Sequence, residues 1–110
     1  MSEPVDVNLN NVAVTHHEKA QQFELYVDGL LSLLTYRLSP DRMVLLHTEV
    51  PKSLEGQGLA AKLTRLALDF AREKQFRVVP LCPYASSFIR KHTEYHHLLS
   101  SEDLRKLLSR

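Results

Sequence analysis

The chain has 110 residues, 44% hydrophobic and 25% charged, which bounds it to one small globular domain with a single modest core. A formal net charge of +1 excludes the strong basic field of a typical nucleic-acid or acidic-membrane binder. One cysteine excludes an intramolecular disulfide, and no apolar run approaches the ~18 residues of a membrane span. Met1-Ser2-Glu3-Pro4 has neither the basic nor the apolar part of a signal peptide, so a cytoplasmic protein is expected.

Residues 1–10 are polar and carry Pro4, Asn8 and Asn10, the composition of a loose lead-in. Val12 to His16 is short and β-prone. Gln22 to Asp28 alternates, with Phe23, Leu25 and Val27 on one face, and Asp28-Gly29 signals a hairpin. Leu30 to Leu38 follows, with Leu30, Ser32, Leu34, Tyr36 and Leu38 opposite Leu31, Leu33, Thr35 and Arg37. Ser39-Pro40-Asp41 is the next turn. Met43 to Val50 is the fourth strand, and strict alternation puts Met43, Leu45, His47 and Glu49 on one face and Val44, Leu46, Thr48 and Val50 on the other. Pro51 ends it.

A helix then runs to about Lys74, with Leu59, Leu63, Leu66 and Phe70 at helical spacing. Phe76 to Leu81 reads as a short strand, parallel to the fourth through a right-handed crossover. Pro83 opens a helix to about His92, with Phe88 and Ile89 inward. Ser101 reads as the N-cap of a last helix carrying Leu104, Leu107 and Leu108. The class is α+β: four antiparallel strands, a helix, a parallel fifth strand, then helices.

Between the fourth strand and the first helix lies Leu54-Glu55-Gly56-Gln57-Gly58-Leu59-Ala60. The first N–H groups of a helix have no internal partner, and the helix dipole adds positive potential there. Glycines let the backbone approach a ligand closely, so this turn suits a diphosphate. A dinucleotide-binding fold places its glycine turn after the first strand, not the fourth. No Gly-Lys-Ser/Thr of a Walker loop occurs.

His47-Thr48-Glu49-Val50-Pro51, Gly56-Gln57-Gly58-Leu59-Ala60, Val79-Pro80-Leu81-Cys82-Pro83-Tyr84 and Phe88-Ile89-Arg90-Lys91-His92 occur in that order. Together with the strand order they resemble the GCN5-related N-acetyltransferases, in particular their small single-domain YjdJ-like branch, over roughly residues 10–98. The resemblance implies that acetyl-CoA binds with its diphosphate on the glycine turn. Its pantetheine would then bond the fourth strand where that strand splays from the fifth. It implies cosubstrate contacts at Val50, Leu54, Glu55, Gly56, Gln57, Gly58, Leu59 and Ala60. Ser53 stands where the family has Gln or Arg, and Thr93 where the branch has Pro. No segment between the first two strands is long enough for the family's substrate-side helices, which leaves the acceptor side open.

Aminolysis of a thioester needs a neutral amine, a polarised carbonyl and a route for the proton. His47 and Glu49 are candidate bases, or a structural histidine and a solvated acid. Cys82 is a candidate nucleophile or acid, or a buried packing thiol. Tyr84 is a candidate acid, or a packing aromatic. Ser86, Ser87 and Lys91 are candidate contacts to pantetheine or phosphate, or solvated helix surface. His16-His17 and His96-His97 do not form a metal site, because neighbours on a strand point apart. The expected function is acetyl-CoA-dependent N-acetylation of a protein lysine or small amine by direct attack. A CoA-binding module with little turnover is the alternative. Neither membrane nor nucleic acid is an expected partner.

Overall fold

The computed structural model describes Leu9 and residues 12–109. The expected lead-in otherwise lies outside the described residues. Five strands form one sheet in sequence order: β1 (Val14–His17), β2 (Gln22–Val27), β3 (Leu30–Ser39), β4 (Arg42–Glu49) and β5 (Arg77–Pro80). The first four are antiparallel, and β5 lies parallel to β4 after α1 (Leu59–Lys74). Helices α2 (Pro83–Lys91) and α3 (Ser101–Leu108) close the chain. Single 3-10 segments at Lys52–Leu54 and Thr93–Leu98 have no periodic signature in the sequence. The α+β expectation therefore holds in element order and in the parallel fifth strand.

Asp28 and Gly29 both take positive φ, 50° and 78°, and turn β2 into β3 with Val27 opposite Leu30. Residues 18–21 alone join β1 to β2, so no helix covers that connection. The core forms where Phe23, Leu25, Leu34, Tyr36, Met43, Leu45 and Val78 meet Leu63, Ala67, Leu68 and Ala71 of α1. Ala85, Phe88 and Ile89 of α2 extend it.

Three local expectations are corrected. Leu66 faces outward, and Leu68 is the buried leucine one position over the turn, because the inward stripe of α1 runs through Leu63, Thr64, Ala67 and Ala71. Ser100, not Ser101, caps α3: its Oγ accepts the Asp103 N–H at 3.1 Å. The third concerns β4. Tyr36 pairs with Leu45 but Thr35 pairs with His47, so Leu46 is an extra residue, a β-bulge. Beyond it the faces exchange. His47 and Glu49 stand beside Thr35 and Leu33 on the outer face, and Thr48 joins Leu34, Leu45 and Met43 on the inner one.

The paired histidines of β1 separate as strand geometry requires. His17 reaches Glu24 at 2.7 Å on the outer face. His16 points inward, stacks on Phe23 at 3.9 Å and meets the edge of Phe70 at 4.6 Å. Its Nε2 bonds the Tyr36 hydroxyl. Burial lowers the His16 pKa below its ordinary 6.5, opposed by Glu18 and reinforced by His17. The unfolded chain then binds more protons than the folded one near that pH, so stability rises with pH there. The His16 contribution is complete above about 6.5 and is lost as pH falls through its lower folded value. Melting curves from pH 7.5 to 5 are expected to fall in this window for the wild type and to flatten for His16→Gln. A His16→Gln curve of unchanged slope refutes the assignment.

Candidate functional site

Pairing between β4 and β5 spans only Arg42 to Leu45 and Arg77 to Pro80. The Leu81 and Cys82 N–H groups both bond the Leu45 carbonyl at 3.0 Å, and the chain then turns into α2 at Pro83. From Leu46 to Glu49 that edge of β4 has no strand beside it among the described residues. The bulge sits where the two strands part, and a bulge bends the strand that carries it.

A cavity of about 620 Å³ opens at this gap. Thr48, Glu49 and Val50 form its strand wall, while Leu54, Glu55, Gly56 and Gly58 form its turn wall. The first turn of α1 supplies Leu59, Ala60 and Ala61, and α2 supplies Tyr84. The 3-10 segment holds the turn in place: Leu54 N–H bonds Pro51 O at 2.8 Å, Glu55 N–H bonds Lys52 O at 3.3 Å, and the Leu54 side chain is fully buried.

Gly56 and Gly58 have φ of 82° and 84°, a region that disfavours residues with a Cβ. Gly58 is the N-cap of α1 and offers no side-chain cap. None of the peptide N–H groups from Gly56 to Ala61 finds a partner among the described residues. Unpaired N–H groups converging at a helix N-terminus form an anion cradle. Among the described residues nothing lies within 4 Å of a Cβ built on Gly56, whereas one on Gly58 would lie 3.1 Å from a Leu9 methyl. These groups fit a CoA diphosphate without a side-chain cation, so the absence of Gln or Arg at Ser53 removes no backbone contact.

The sequence-derived residues divide between the cavity and its surroundings. Val50, Leu54, Glu55, Gly56, Gly58, Leu59, Ala60, Glu49 and Tyr84 line it, while Gln57 bridges the two glycines without forming a wall. His47 is 63% exposed on the outer face, with Nε2 3.6 Å from a Glu49 carboxylate oxygen. Cys82 is buried behind the strand wall, and its Sγ donates to Thr48 Oγ1 at 3.4 Å. Ser86 is turned inward, its hydroxyl donating to Pro80 O at 2.9 Å. Ser87 and Lys91 lie along α2 away from the cavity walls. Arg90 donates to Leu107 O, and the His92 ring stacks on Phe88 with Nδ1 2.7 Å from its carbonyl, so both serve the helix ends. Burial pushes the Tyr84 hydroxyl above its ordinary 10.0.

Sequence reasoning missed Thr48 and Ala61 as wall residues. Ala61 was within reach, as the third residue of the helix. Thr48 was hidden by the bulge, which alternation does not register.

The family model described as GCN5-related N-acetyl-transferase matches residues 22–98. The chain belongs to this family. Protein NATD1 of Bos taurus is 33% identical over 84 residues, 74% of each chain. Protein NATD1 of Danio rerio is 28% identical over 104 residues, 86% of this chain and 94% of that one. The NMR solution structure of a GCN5-like protein from Staphylococcus aureus superposes with a TM-score of 0.67 at 26% identity. It covers 82% of this chain and 89% of that one. The gap between β4 and β5 and the glycine turn thus belong to an N-acetyltransferase fold.

Proposed function

We propose that the protein transfers the acetyl group of acetyl-CoA to a primary amine, by direct attack within a ternary complex. The observation that carries this reading is the run of N–H groups from Gly56 to Ala61 that have no partner among the described residues, opening beside an edge of β4 with no described strand next to it. In this reading the diphosphate sits on the turn and the pantetheine runs along Val50 to Thr48. The thioester then lies between Thr48 and Tyr84. The amine nitrogen bonds the carbonyl carbon, the C–S bond breaks, and the amine proton ends on the CoA sulfur. Glu49, with His47 beside it, receives that proton on the way, directly or through water.

Cys82 does not line the cavity, which favours direct attack over an acetyl-cysteine intermediate. A thiol has an unperturbed pKa of about 8.5, well below that of Tyr84, so proton transfer from Tyr84 to the thiolate is uphill. Tyr84 instead stabilises the departing sulfur by donating a hydrogen bond. A hydrogen bond to a charged group is worth about 1.5–3 kcal/mol, or roughly 10- to 100-fold in rate. Tyr84→Phe is expected to lower kcat by that factor and leave the KM for acetyl-CoA unchanged.

The test uses radiolabelled acetyl-CoA with polylysine and with spermidine as acceptor probes. Label transferred to either amine supports the reading. Acetyl-CoA that binds, with no label transferred and no thiol released, marks a CoA-binding module instead.

A further inference from the structure

We infer that Thr48 is a catalytic residue of this site, its hydroxyl donating to the thioester carbonyl while Cys82 holds it in position. The inference rests on the acetyl-CoA reading above.

The bulge at Leu46 turns Thr48 from the outer face, where unbroken alternation would leave it, to the inner face opposite Leu34. There it forms part of the cavity wall. The last backbone bonds across this seam are those of the Leu81 and Cys82 N–H groups to the Leu45 carbonyl, and among the described residues none joins Leu46 to Glu49 to that segment. A side-chain hydrogen bond crosses the gap there, from Cys82 Sγ to Thr48 Oγ1 at 3.4 Å.

A threonine hydroxyl carries one proton and two acceptor lone pairs, whereas a thiol is a weak donor and a weak acceptor. Cys82 is 4% exposed, and Thr48 is its one polar side-chain partner among the described residues. In the structure the S–H donates to Thr48 Oγ1, which uses one Thr48 lone pair and leaves the Thr48 proton for another acceptor. Threonine is β-branched and stiff at χ1, so the strand and the thiol together fix where its hydroxyl oxygen sits, while the O–H turns to suit its acceptor. Thr48 lines the cavity, where a bound carbonyl would be such an acceptor.

Negative charge develops on the carbonyl oxygen when the amine adds. The N–C bond forms and the C=O electron pair moves onto oxygen. Thr48 meets that oxygen with a hydrogen bond and keeps its proton. When the C–O pair returns, the C–S bond breaks and the sulfur takes the proton shed by the amine. Preorganised donors of this kind act on the transition state more than on the bound substrate. Cys82 remains a thiol throughout and is a positioning residue.

The test measures the infrared stretch of the bound carbonyl with [1-13C]acetyl-CoA, beside thermal shift and steady-state rates. The wild type is expected to lower the stretch relative to free acetyl-CoA. Thr48→Ser is expected to keep that lowering and to stay within a few-fold in kcat. Thr48→Val is expected to lose it and to lower kcat by about 100-fold at unchanged KM. Cys82→Ala is expected to lose a few-fold in kcat, and Cys82→Ser, which restores a donor to Thr48 Oγ1, to recover part of that loss. A bound carbonyl that Thr48→Val leaves unmoved, with kcat intact, overturns the assignment. So does an acetylated Cys82 found by mass spectrometry in the wild type together with a dead Cys82→Ala. A wild type with no thermal shift refutes the acetyl-CoA reading beneath the assignment, a result distinct from either of these.

Discussion

Saturating acetyl-CoA is expected to raise the melting temperature of the wild type by roughly 10 °C or more. A ligand at 100 times its Kd stabilises the folded state by about 2.7 kcal/mol, and about 1 kcal/mol moves a domain of this size by ~4–8 °C. Gly56 is the position that tests where the shift comes from. Its φ of 82° suits Asn and Asp better than other side chains, and nothing among the described residues lies within 4 Å of an added Cβ. Gly56→Asn and Gly56→Asp have nearly the same shape and the same backbone demand, and they differ by one negative charge. Gly56→Asn is expected to retain most of the ligand-induced shift and Gly56→Asp to lose nearly all of it. The free proteins should melt within a few degrees of each other. Gly58 is the poorer choice, because its Cβ would crowd the Leu9 methyl and mix a packing cost into the result. Equal shifts for the two Gly56 variants would move the diphosphate away from this turn.

Much of the framework was legible because each signal had a local physical cause. Asp28-Gly29 can take the two positive φ values a tight hairpin needs, and the hairpin forms there. The pattern after Gly58 repeats with helical period, and α1 runs from Leu59 to Lys74 as read. Pro83 opens α2 because its fixed φ suits a first helical turn. The glycine turn was legible for the same reason, since only its own residues are needed to leave those N–H groups free.

What the sequence hid depends on contacts between distant segments. The placement of Ser86 is set by the Pro80 carbonyl, which its hydroxyl meets across the start of α2. The role of Arg90 is set by the end of α3. The largest concealment is at Leu46. A bulge belongs to a pair of strands and not to one of them, and Met43 to Val50 reads as ordinary alternation throughout. Which face carries Thr48, and which carries His47 and Glu49, follows only from the register against Thr35 and Tyr36.

That register makes deletion of Leu46 an unusually clean experiment. Removing the one unpaired residue leaves Leu45 opposite Tyr36, His47 opposite Thr35 and Thr48 opposite Leu34, so every later side chain keeps its face. Leu46 is 38% exposed, so its loss opens no core cavity. The shortened strand is therefore expected to fold, with a melting temperature at or above that of the wild type. It loses the bend that carries β4 away from β5. A straighter β4 closes on Leu81 and Cys82, and the edge that was to bond pantetheine is taken up. Two hydrogen bonds at about 1 kcal/mol each, with the lost cavity volume, amount to on the order of 100-fold in acetyl-CoA affinity. Leu46→Ala keeps the extra residue and with it the bend, so it is expected to bind like the wild type. Calorimetric titration of the two variants separates backbone from side chain. If the deletion variant folds and binds acetyl-CoA as tightly as Leu46→Ala, the bulge is not what holds the cleft open, and the divergence of β5 must be set instead by the turn into α2 at Pro83.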